Sequence, residues 1–427
     1  MDVQELPSEF AVWPPSEATV RCPFAYFATL RDSAPVYRFP EPGHFGADMY
    51  VVTRWADCAE ALLRAEVFVN NLDEGGALAA FETTREPLIA PDVATFYHPS
   101  NVFFSDGADH RVKRSWVMPL VSRERLSVVR PMVAAEVDRL IDAFLADGRC
   151  DFRAQFSDVM PMKVVRQVMG LPADADPMIK RLSAALEVTD NNPHQSDEMA
   201  TELREARIAI LTLIAELLRV REAAPVAGDY VSELVARQVA RDGALDINAL
   251  TMHLAATVFG ADHAVGGHLA DIAARLGRDP DLQDRVRADR SLIRALSNEA
   301  LRIESPLPWL FRRCVQDTTL GGVAIPAGAV VLIVQVSANH DPHAFPEPAT
   351  FDLDRPNIER DHLTLGRGRH RCAGAEMANL QADVTVNRLL DRLADIRLDD
   401  DRSDLMPQLS YGFRIPTAVH LTFRAAH

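Results

Sequence analysis

LGRGRHRCAG, residues Leu365 to Gly374, is the most informative segment of the chain. Gly366 and Gly368 permit a tight backbone course before Cys372, and a helical pattern begins directly after this cysteine. A cysteine just ahead of a helix N-terminus lies close to free N–H groups, which favour a negative sulfur. Positive charge in the same segment comes from Arg367, Arg369, His370 and Arg371. We therefore expect Cys372 to be a thiolate at neutral pH, the form of cysteine that ligates iron.

Two other interpretations of Cys372 stay open on the residues alone. A lone cysteine is most often a small buried hydrophobe, and the basic, glycine-rich surroundings weaken that interpretation without removing it. The second interpretation is a nucleophilic Cys–His pair, which would make the protein a cysteine hydrolase. Against it, His370 is only two residues away on a loop, and no acid that could orient it is visible in the sequence.

The segment resembles the haem-binding signature of cytochromes P450, FGxGxHxCxG. The positions that match are Gly366, Gly368, His370, Cys372 and Gly374. Leu365 stands where that family usually has Phe, a residue that packs near the haem and tunes the thiolate. The resemblance implies a mainly α fold with a small β region and a long central helix over the haem. It also implies that Cys372 ligates the iron of haem b (iron protoporphyrin IX).

Glu299 and Arg302 form an ExxR pattern in NEALRIESPL. At a spacing of three residues they share one face of a helix and can pair. Alone, such a pair is usually a solvated surface contact of little energetic value. Here it precedes the cysteine in the order shown by cytochromes P450, and in that family it is structural because it holds the segment that supports the haem loop.

Cationic residues that suit the two haem propionates occur in two further segments. His110 and Arg114 lie four residues apart in DGADHRVKRSW, so they face the same way on a helix. By resemblance, Arg312 occupies the position of a third propionate ligand, with its neighbour Arg313 as the alternative. Two cationic donors on two carboxylates form strong charge-assisted hydrogen bonds. Without the resemblance, the His–Arg pair would most often be a solvated helix face.

The predicted central helix departs from the family pattern AGx[DE]T, in which an acid and an alcohol help to deliver protons to bound dioxygen. The matching stretch is TVFGADHAVGG, residues 257 to 267. In the alignment without a gap, Gly260 and Ala261 are the small residues, His263 takes the acid position and Ala264 takes the alcohol position. A shift of one residue would make Asp262 the acid. The usual Thr is absent in both alignments.

This departure leaves three sources for the proton: His263, ordered water or a hydroxyl of the substrate. A histidine that titrates near neutrality can act as a relay, and the alternative is that His263 only hydrogen-bonds within the helix bundle. A peroxide-dependent or otherwise atypical oxidation is a further hypothesis, because the Thr is missing.

Composition sets the broad class of the protein. The chain has 427 residues, 48% hydrophobic and 25% charged, with no linker-like stretch, so we expect a single domain over residues 1–427 with a short N-terminal extension of about 20 residues. Its net charge of -16 argues against nucleic acid as a partner. No apolar run is long enough for a membrane span and the N-terminus lacks a signal pattern, so we expect a cytoplasmic monomer. Five separated cysteines argue against a disulfide framework and a zinc site.

Helical periodicity is strongest in five stretches, and strand patterns are few and short. The predicted helices are 123–146, 199–223, 246–276, 292–303 and 375–393, and the predicted strands are 49–53 and 329–336. Residues 70–109 and 189–197 lack clear periodicity, which is typical of surface loops and, in some proteins, of lids over a binding site.

The function implied by the resemblance is a monooxygenase that inserts one oxygen atom into a small apolar or aromatic substrate, by hydroxylation or O-dealkylation. Electrons would come from an external ferredoxin or flavodoxin with its reductase, which could dock on the basic residues near Cys372 and on Arg111 and Lys113. Expected pocket residues are Phe103, Phe259, Gly260, Leu307, Trp309 and Phe413, with Phe96 and Phe104 as further candidates. The alternative from another class is a non-catalytic haem protein that acts as a sensor or an electron carrier.

Overall fold

The computed structural model describes residues 10–11, 13–41, 47–72, 101–189, 192, 194 and 196–426. Helices dominate it, and the strands form small sheets, as the sequence predicts. The α-helices are α1 (Glu17–Arg21), α2 (Phe24–Ser33), α3 (Trp55–Leu63), α4 (Gly107–Val117), α5 (Arg123–Leu145), α6 (Met160–Val168), α7 (Asp176–Thr189), α8 (Asp197–Ala223), α9 (Tyr230–Asp242), α10 (Ile247–Arg278), α11 (Pro280–Ala288), α12 (Ile293–Glu304), α13 (Gln335–Ala338), α14 (Ile358–Asp361) and α15 (Ala375–Arg392). The strands are β1 (Val36–Arg38), β2 (Met49–Val52), β3 (Phe68–Val69), β4 (Arg149–Asp151), β5 (Leu310–Cys314), β6 (Thr318–Leu320), β7 (Val323–Ile325), β8 (Val330–Ile333), β9 (Leu393–Leu398), β10 (Asp404–Pro407), β11 (Pro416–Ala418) and β12 (His420–Ala425).

The five predicted helices are confirmed as α5, α8, α10, α12 and α15, with ends that differ from the prediction by at most two residues. Their starts follow local capping chemistry, since a short polar side chain accepts a backbone N–H of the first turn. Ser122 caps α5, Ser196 caps α8 and Asp246 caps α10 in this way. The predicted strand 329–336 is shorter than expected, because the chain turns into the short helix α13 after β8.

The central helix α10 runs through the core and packs against α6, α8 and α12. Most of its residues are buried, including polar ones, so it has no solvated stripe along most of its length. A π-helical turn, Arg153–Ser157, lies directly against it. A Cβ atom at Gly266 would lie 2.6 Å from the carbonyl oxygen of Ser157, so glycine permits this close approach. None of the helices in the described ranges is both long and apolar enough to span a bilayer.

The main sheet positions the segment that follows α12. Its strand order is β1-β2-β8-β5-β3. The central strand β8 is parallel to β2 and antiparallel to β5, which places Arg312 opposite Val331. Strand β8 is buried throughout, as expected for a strand with partners on both sides. The sheet therefore holds β5, and with it Arg312, in a fixed position relative to the core.

A buried ion cluster joins α12 to the segment that leads to the cysteine loop. Glu299 and Arg302 are fully buried and paired, at 2.7 and 2.8 Å. Arg302 also donates to the carbonyl oxygens of Asn339 and Pro348, at 2.8 and 2.7 Å. A third member, Arg355, donates to Glu299 at 2.9 Å. The pair is thus a buried structural hub rather than a solvated surface contact.

The hub continues directly into the backbone just before the cysteine loop. Asn339 accepts the backbone N–H of Leu363 through its Oδ1 atom, at 2.7 Å. Its amide also donates to the hydroxyl of Thr364, at 2.8 Å, and that hydroxyl donates to the carbonyl of Leu301 in α12. Each donor named in this network has an acceptor, which is the condition for a buried polar network to be stable.

We predict that Glu299→Ala lowers the free energy of unfolding by about 3 to 5 kcal/mol, because it leaves two arginines buried without a carboxylate. Chemical denaturation of the purified protein measures this loss. The control is Arg424→Ala, which breaks an exposed pair with Asp395 and should cost under about 1 kcal/mol. Equal effects of the two variants would contradict the structural role of the buried pair.

Candidate functional site

The cysteine loop has a backbone that only glycine adopts readily at two positions. Gly366 and Gly368 have φ angles of 69° and 71°, in the left-handed region. A Cβ atom at Gly368 would also lie 3.1 Å from the carbonyl oxygen of Leu62. The backbone N–H of Cys372 donates to the carbonyl of Leu365 at 2.7 Å and closes the loop. The loop therefore presents Cys372 immediately before the first turn of α15.

The sulfur of Cys372 accepts hydrogen bonds from the backbone N–H groups of Gly374 and Ala375. Burial raises the pKa of the thiol, and these N–H groups together with Arg371 and Arg114 offset that effect only in part. Without a bound cation, Cys372 is therefore favoured as a thiol rather than as the expected thiolate. The sulfur loses its proton when it binds a cation. The residue is nevertheless exposed, so open space, here called the recess, lies beside the side chain.

A histidine pair lies beside this recess. The rings of His110 and His370 are 4.0 Å apart, and burial lowers the pKa of His110 to about 4. The amide of Asn70 donates to Nδ1 of His370 at 2.9 Å, an assignment that leaves its proton on Nε2. That atom is 3.3 Å from Asp106, too poorly aligned for a good hydrogen bond. Both rings are therefore neutral donors near pH 7.

Among the residues that the structure describes, two arginines in the same region form no ion pair with a carboxylate, although Asp106 is close enough to raise the pKa of Arg312 in part. Within the described ranges, Arg114 makes no hydrogen bond or ion pair, and Arg312 donates only to the carbonyl of Phe311, at 2.7 Å. Arg312 is buried, and this burial lowers its pKa to about 10. Since a buried charge needs a partner, these side chains suit an anionic group such as the carboxylates of a haem. The neighbouring Arg313 donates instead to the backbone of Asn71, at 3.1 Å.

His263 of the central helix is held between a carboxylate and an aromatic ring. Its Nε2 atom is 3.5 Å from the carboxylate of Glu187 in α7. Its ring meets the ring of Phe413 edge-on, at 4.7 Å. Within the described part of the chain, Nε2 is buried and makes no hydrogen bond, and no partner of Nδ1 is found. Glu187 is therefore a close charged neighbour of the ring rather than a hydrogen-bond acceptor for it.

Asp262, the alternative acid, points to a different neighbour. It is buried, accepts the hydroxyl of Ser183 in α7, and burial raises its pKa to about 6. Gly260 is exposed here, and Thr257 and Ala264 on the same face are half-buried. The hydroxyl of Thr257 donates to the carbonyl of His253 at 2.9 Å, so Gly260 and Ala264 are the small residues of this face.

Aromatic side chains gather around this small-residue face. A Cβ atom at Gly260 would lie 2.8 Å from the ring of Phe103, and Phe259 meets Phe413 edge-on at 5.7 Å. Leu307 is half-buried. Phe96 and most of the loop 70–109 lie outside the described residues, so their predicted role in the pocket rests on the sequence alone.

Two further predicted residues are buried. Trp309 is buried in the core formed with the N-terminal segment, where its ring is 5.0 Å from that of Trp13 and its Nε1 donates to the carbonyl of Tyr411. Its place in the substrate pocket stays a prediction, since the contacts of its ring and Nε1 atom are with Trp13 and the backbone of Tyr411. Lys113 is also buried and pairs with Asp109, so it does not belong to an exposed basic surface.

Sequence reasoning missed three charged residues that structure brings into these networks: Arg355, Asp106 and Glu187. Arg355 follows the acidic residues of DLD and precedes Pro356. A single basic residue in this acidic stretch was the sequence feature that could have indicated it. Asp106 precedes α4 and accepts the backbone N–H groups of Asn70 and Asn71. No sequence signal links Glu187 to His263, because the two lie on different helices.

Comparison with known proteins identifies the relatives of this chain. The family model described as Cytochrome P450 matches residues 270–415. The steroid C26-monooxygenase of Mycobacterium tuberculosis (strain CDC 1551 / Oshkosh) is 32% identical over 302 residues, which cover 70% of this chain and 79% of that protein. The cytochrome P450 monooxygenase PikC of Streptomyces venezuelae is 29% identical over 388 residues, covering 90% and 87%. The structure of cytochrome P450 CYP109Q5 from Chondromyces apiculatus aligns with a TM-score of 0.81 at 25% identity, covering 96% and 97%.

The fold and the cysteine loop define the class as a mainly α protein whose cysteine can ligate a haem iron. The chain belongs to the cytochrome P450 family. It is a monooxygenase, as its relatives are named, and its family implies a haem-iron cofactor. The residues present fit that cofactor, since the exposed Cys372 has Arg371 and Arg114 as charged neighbours, and Arg114 and the buried Arg312 form no ion pair with the described residues.

We predict that Cys372→Ser removes the absorption band that a thiolate-ligated haem shows when it is reduced and bound to carbon monoxide. The reason is that a serine hydroxyl is a poor iron ligand and cannot supply the electron density of a thiolate. The control is Cys22→Ser, which changes another exposed cysteine and should leave the spectrum unchanged. Identical spectra for the two variants would contradict the assignment of the ligand.

Proposed function

We propose that this monooxygenase binds haem b through Cys372 and inserts one oxygen atom from dioxygen into a small apolar or aromatic substrate. The observation that carries the proposal is the exposed Cys372, whose sulfur lies near the backbone N–H groups of Gly374 and Ala375 and has Arg371 and Arg114 as charged neighbours. When bound, the haem iron activates dioxygen and oxidises a C–H bond. Oxidation gives an alcohol, or the loss of an alkyl group where the attacked carbon bears an oxygen.

The chain's own residues would hold the cofactor from two sides. The sulfur of Cys372 binds the iron, with Gly366, Gly368 and Leu365 shaping the loop beneath it. The propionates are bound by His110, Arg114 and Arg312, with His370 next to them. An arginine binds a carboxylate with two parallel hydrogen bonds, so these residues fix the orientation of the cofactor as well as its affinity.

The N–H groups of Gly374 and Ala375 also tune the sulfur. A hydrogen bond to a thiolate withdraws electron density from it, which limits how strongly the sulfur donates to the iron. Leu365 in place of the usual aromatic residue adds no polar contact at this position. The donating strength of the ligand is therefore set mainly by the backbone at the start of α15.

Apolar residues favour an apolar substrate. The ring of Phe103 lies against the exposed Gly260, and the next residue, Phe259, meets Phe413 edge-on. Aromatic rings bind flat or extended apolar molecules by area and by edge contacts. A relative is named as a steroid C26-monooxygenase, which supports a substrate of this chemical class. A spin-state shift of the haem on binding such molecules distinguishes this function from that of a non-catalytic sensor or electron carrier.

His263 is the residue we assign to proton transfer. Ala264 has no hydroxyl, and Asp262 accepts the hydroxyl of Ser183, which leaves His263, whose Nε2 atom makes no hydrogen bond in the described structure, as the candidate of this helix segment. A positioned histidine can hold a proton near neutral pH and pass it on through the opposite nitrogen. Ordered water or a substrate hydroxyl would then complete the path.

Electrons would arrive from a ferredoxin or a flavodoxin with its reductase. Arg111 and Arg369 are exposed, and Arg367 and Arg371 are half-buried on the same loop as Cys372. The exposed apolar residue Leu63 lies next to Gly368, so charge and apolar surface occur together. Such a basic patch on a chain of net charge -16 attracts an acidic partner to the thiolate side of the molecule.

We predict that Arg369→Glu slows reduction by an acidic ferredoxin roughly tenfold at low ionic strength, and that added salt narrows the difference. Stopped-flow reduction at several salt concentrations measures the effect. The control is Arg219→Glu, which changes an exposed arginine of α8. Equal slowing by both variants would indicate a general charge effect and would contradict docking at the cysteine loop.

We predict that His263→Ala lowers the amount of product formed per reductant consumed by roughly tenfold or more, in line with removal of a general acid–base group. His343→Ala, at an exposed histidine, should leave this ratio unchanged. An unchanged ratio in His263→Ala would remove this residue from proton transfer. Turnover with peroxide that equals turnover with the electron donors would instead favour a peroxide-dependent oxidation.

A further inference from the structure

A buried charge network lies on the Nε2 side of the His263 ring. Arg153, in the π-helical turn, donates to both carboxylate oxygens of Glu187 at 3.0 and 3.2 Å. Burial alone would raise the pKa of Glu187, but its contacts with His263 and Arg153 outweigh burial and lower it. Glu187 is therefore an ionised carboxylate almost fully enclosed by protein.

Arg153 is itself held rigidly. Its Nη1 atom donates to the carbonyl oxygens of Pro416 and Thr417 at 2.8 and 3.3 Å, and its Nε atom is 3.3 Å from Asp158. Because the guanidinium is planar and uses several donors at once, it can move little. The carboxylate of Glu187 is consequently fixed relative to the turn, to β11 and to the central helix.

Two carboxylates contact Arg153. Its Nε atom lies 3.3 Å from Asp158, and its Nη2 atom donates to Glu187 at 3.0 and 3.2 Å. That second carboxylate, Glu187, has the imidazole of His263 as its other neighbour. The imidazole is further oriented by the edge contact with Phe413, which lies in the proposed substrate pocket.

We propose that Glu187 is a positioning residue for proton transfer: anchored by Arg153, it fixes the orientation of the His263 ring and stabilises the proton that this ring carries. This proposal rests on the proposed function, in which His263 transfers the proton. The arrangement inverts the family pattern stated above, since the acid is on α7 and the central helix supplies the base. The proton leaves from the nitrogen that faces away from Glu187.

The test compares Glu187→Gln with Glu202→Gln in the haem-loaded enzyme. Glutamine keeps the size and one acceptor of Glu187 but removes its charge. Glu202 is an exposed carboxylate of α8 that pairs with Arg181 of α7. Because α7 also carries Glu187, the Glu202 variant controls for the loss of an ion pair at α7. We expect Glu187→Gln to lower product per reductant consumed by roughly threefold to tenfold, less than His263→Ala does, and Glu202→Gln to leave it unchanged.

Combining the variants separates positioning from a purely structural role. If Glu187 acts through His263, adding Glu187→Gln to His263→Ala causes no further loss. Three outcomes would overturn the proposal. The losses of product per reductant in the two single variants could add in the double variant, or Glu187→Gln could lose no more product than Glu202→Gln does. The third outcome is a loss of product in Glu187→Gln while His263→Ala loses none. The conservative variant Glu187→Asp keeps the charge and should recover part of the product yield, and it carries the same test if Glu187→Gln does not retain haem.

Failure of the underlying function is distinguishable from failure of this proposal. A wild-type enzyme that lacks the reduced carbon monoxide band, or that forms no product with electron donors, contradicts the proposed function itself. A wild-type enzyme that forms product while Glu187→Gln behaves like its control contradicts only the role of Glu187.

Discussion

Two buried arginines share one buried carboxylate at the centre of this protein, and the position of the cysteine loop depends on them. Glu299 accepts from both Arg302 and Arg355, and the spare donors of both arginines are used on backbone carbonyls of residues 339 to 350. An isolated buried charge would be expensive, but here all charges are paired and the remaining donors are satisfied. Since the acceptors are backbone atoms, the network specifies the course of the chain itself.

In the region around Cys372, by contrast, two charged side chains form no ion pair with the described residues. Arg312 is buried with a single carbonyl acceptor, Arg114 is near the thiol, and burial raises the pKa of that thiol. Such an arrangement is unfavourable in the protein alone and becomes favourable when a group with a cationic centre and anionic periphery binds. The charges in the interior that holds the loop are paired with one another, whereas the side chains around Cys372 suit a ligand of opposite charge. Such charged groups placed in advance of ligand binding are a general feature of preorganised sites.

The sequence predicted the parts of the molecule that local chemistry determines. The five long helices followed from periodicity and capping residues such as Ser122 and Asp246, and the course of the cysteine loop followed from Gly366 and Gly368. The remaining features depend on contacts between distant segments. The ring of Trp309 packs edge-on against Trp13 of the N-terminal segment, and Lys113, which was expected on an exposed basic surface, is buried beside Asp109. No periodicity or motif could reveal these contacts, because burial of a single side chain depends on the packing of other elements.

The same reasoning explains why the central helix could lose both the acid and the alcohol of its family pattern. A proton-transfer group needs a titratable atom and a fixed orientation, and neither requirement specifies which helix supplies the charge. In the proposed arrangement the base is His263 on α10 and the carboxylate that orients it is Glu187 on α7, whose pKa is lowered by its contacts with His263 and Arg153. Because Arg153, Glu187 and His263 lie on a turn and two different helices, tertiary structure brings these groups together rather than one local motif. A departure from a local motif is therefore compatible with the same chemistry when tertiary structure supplies the missing charge.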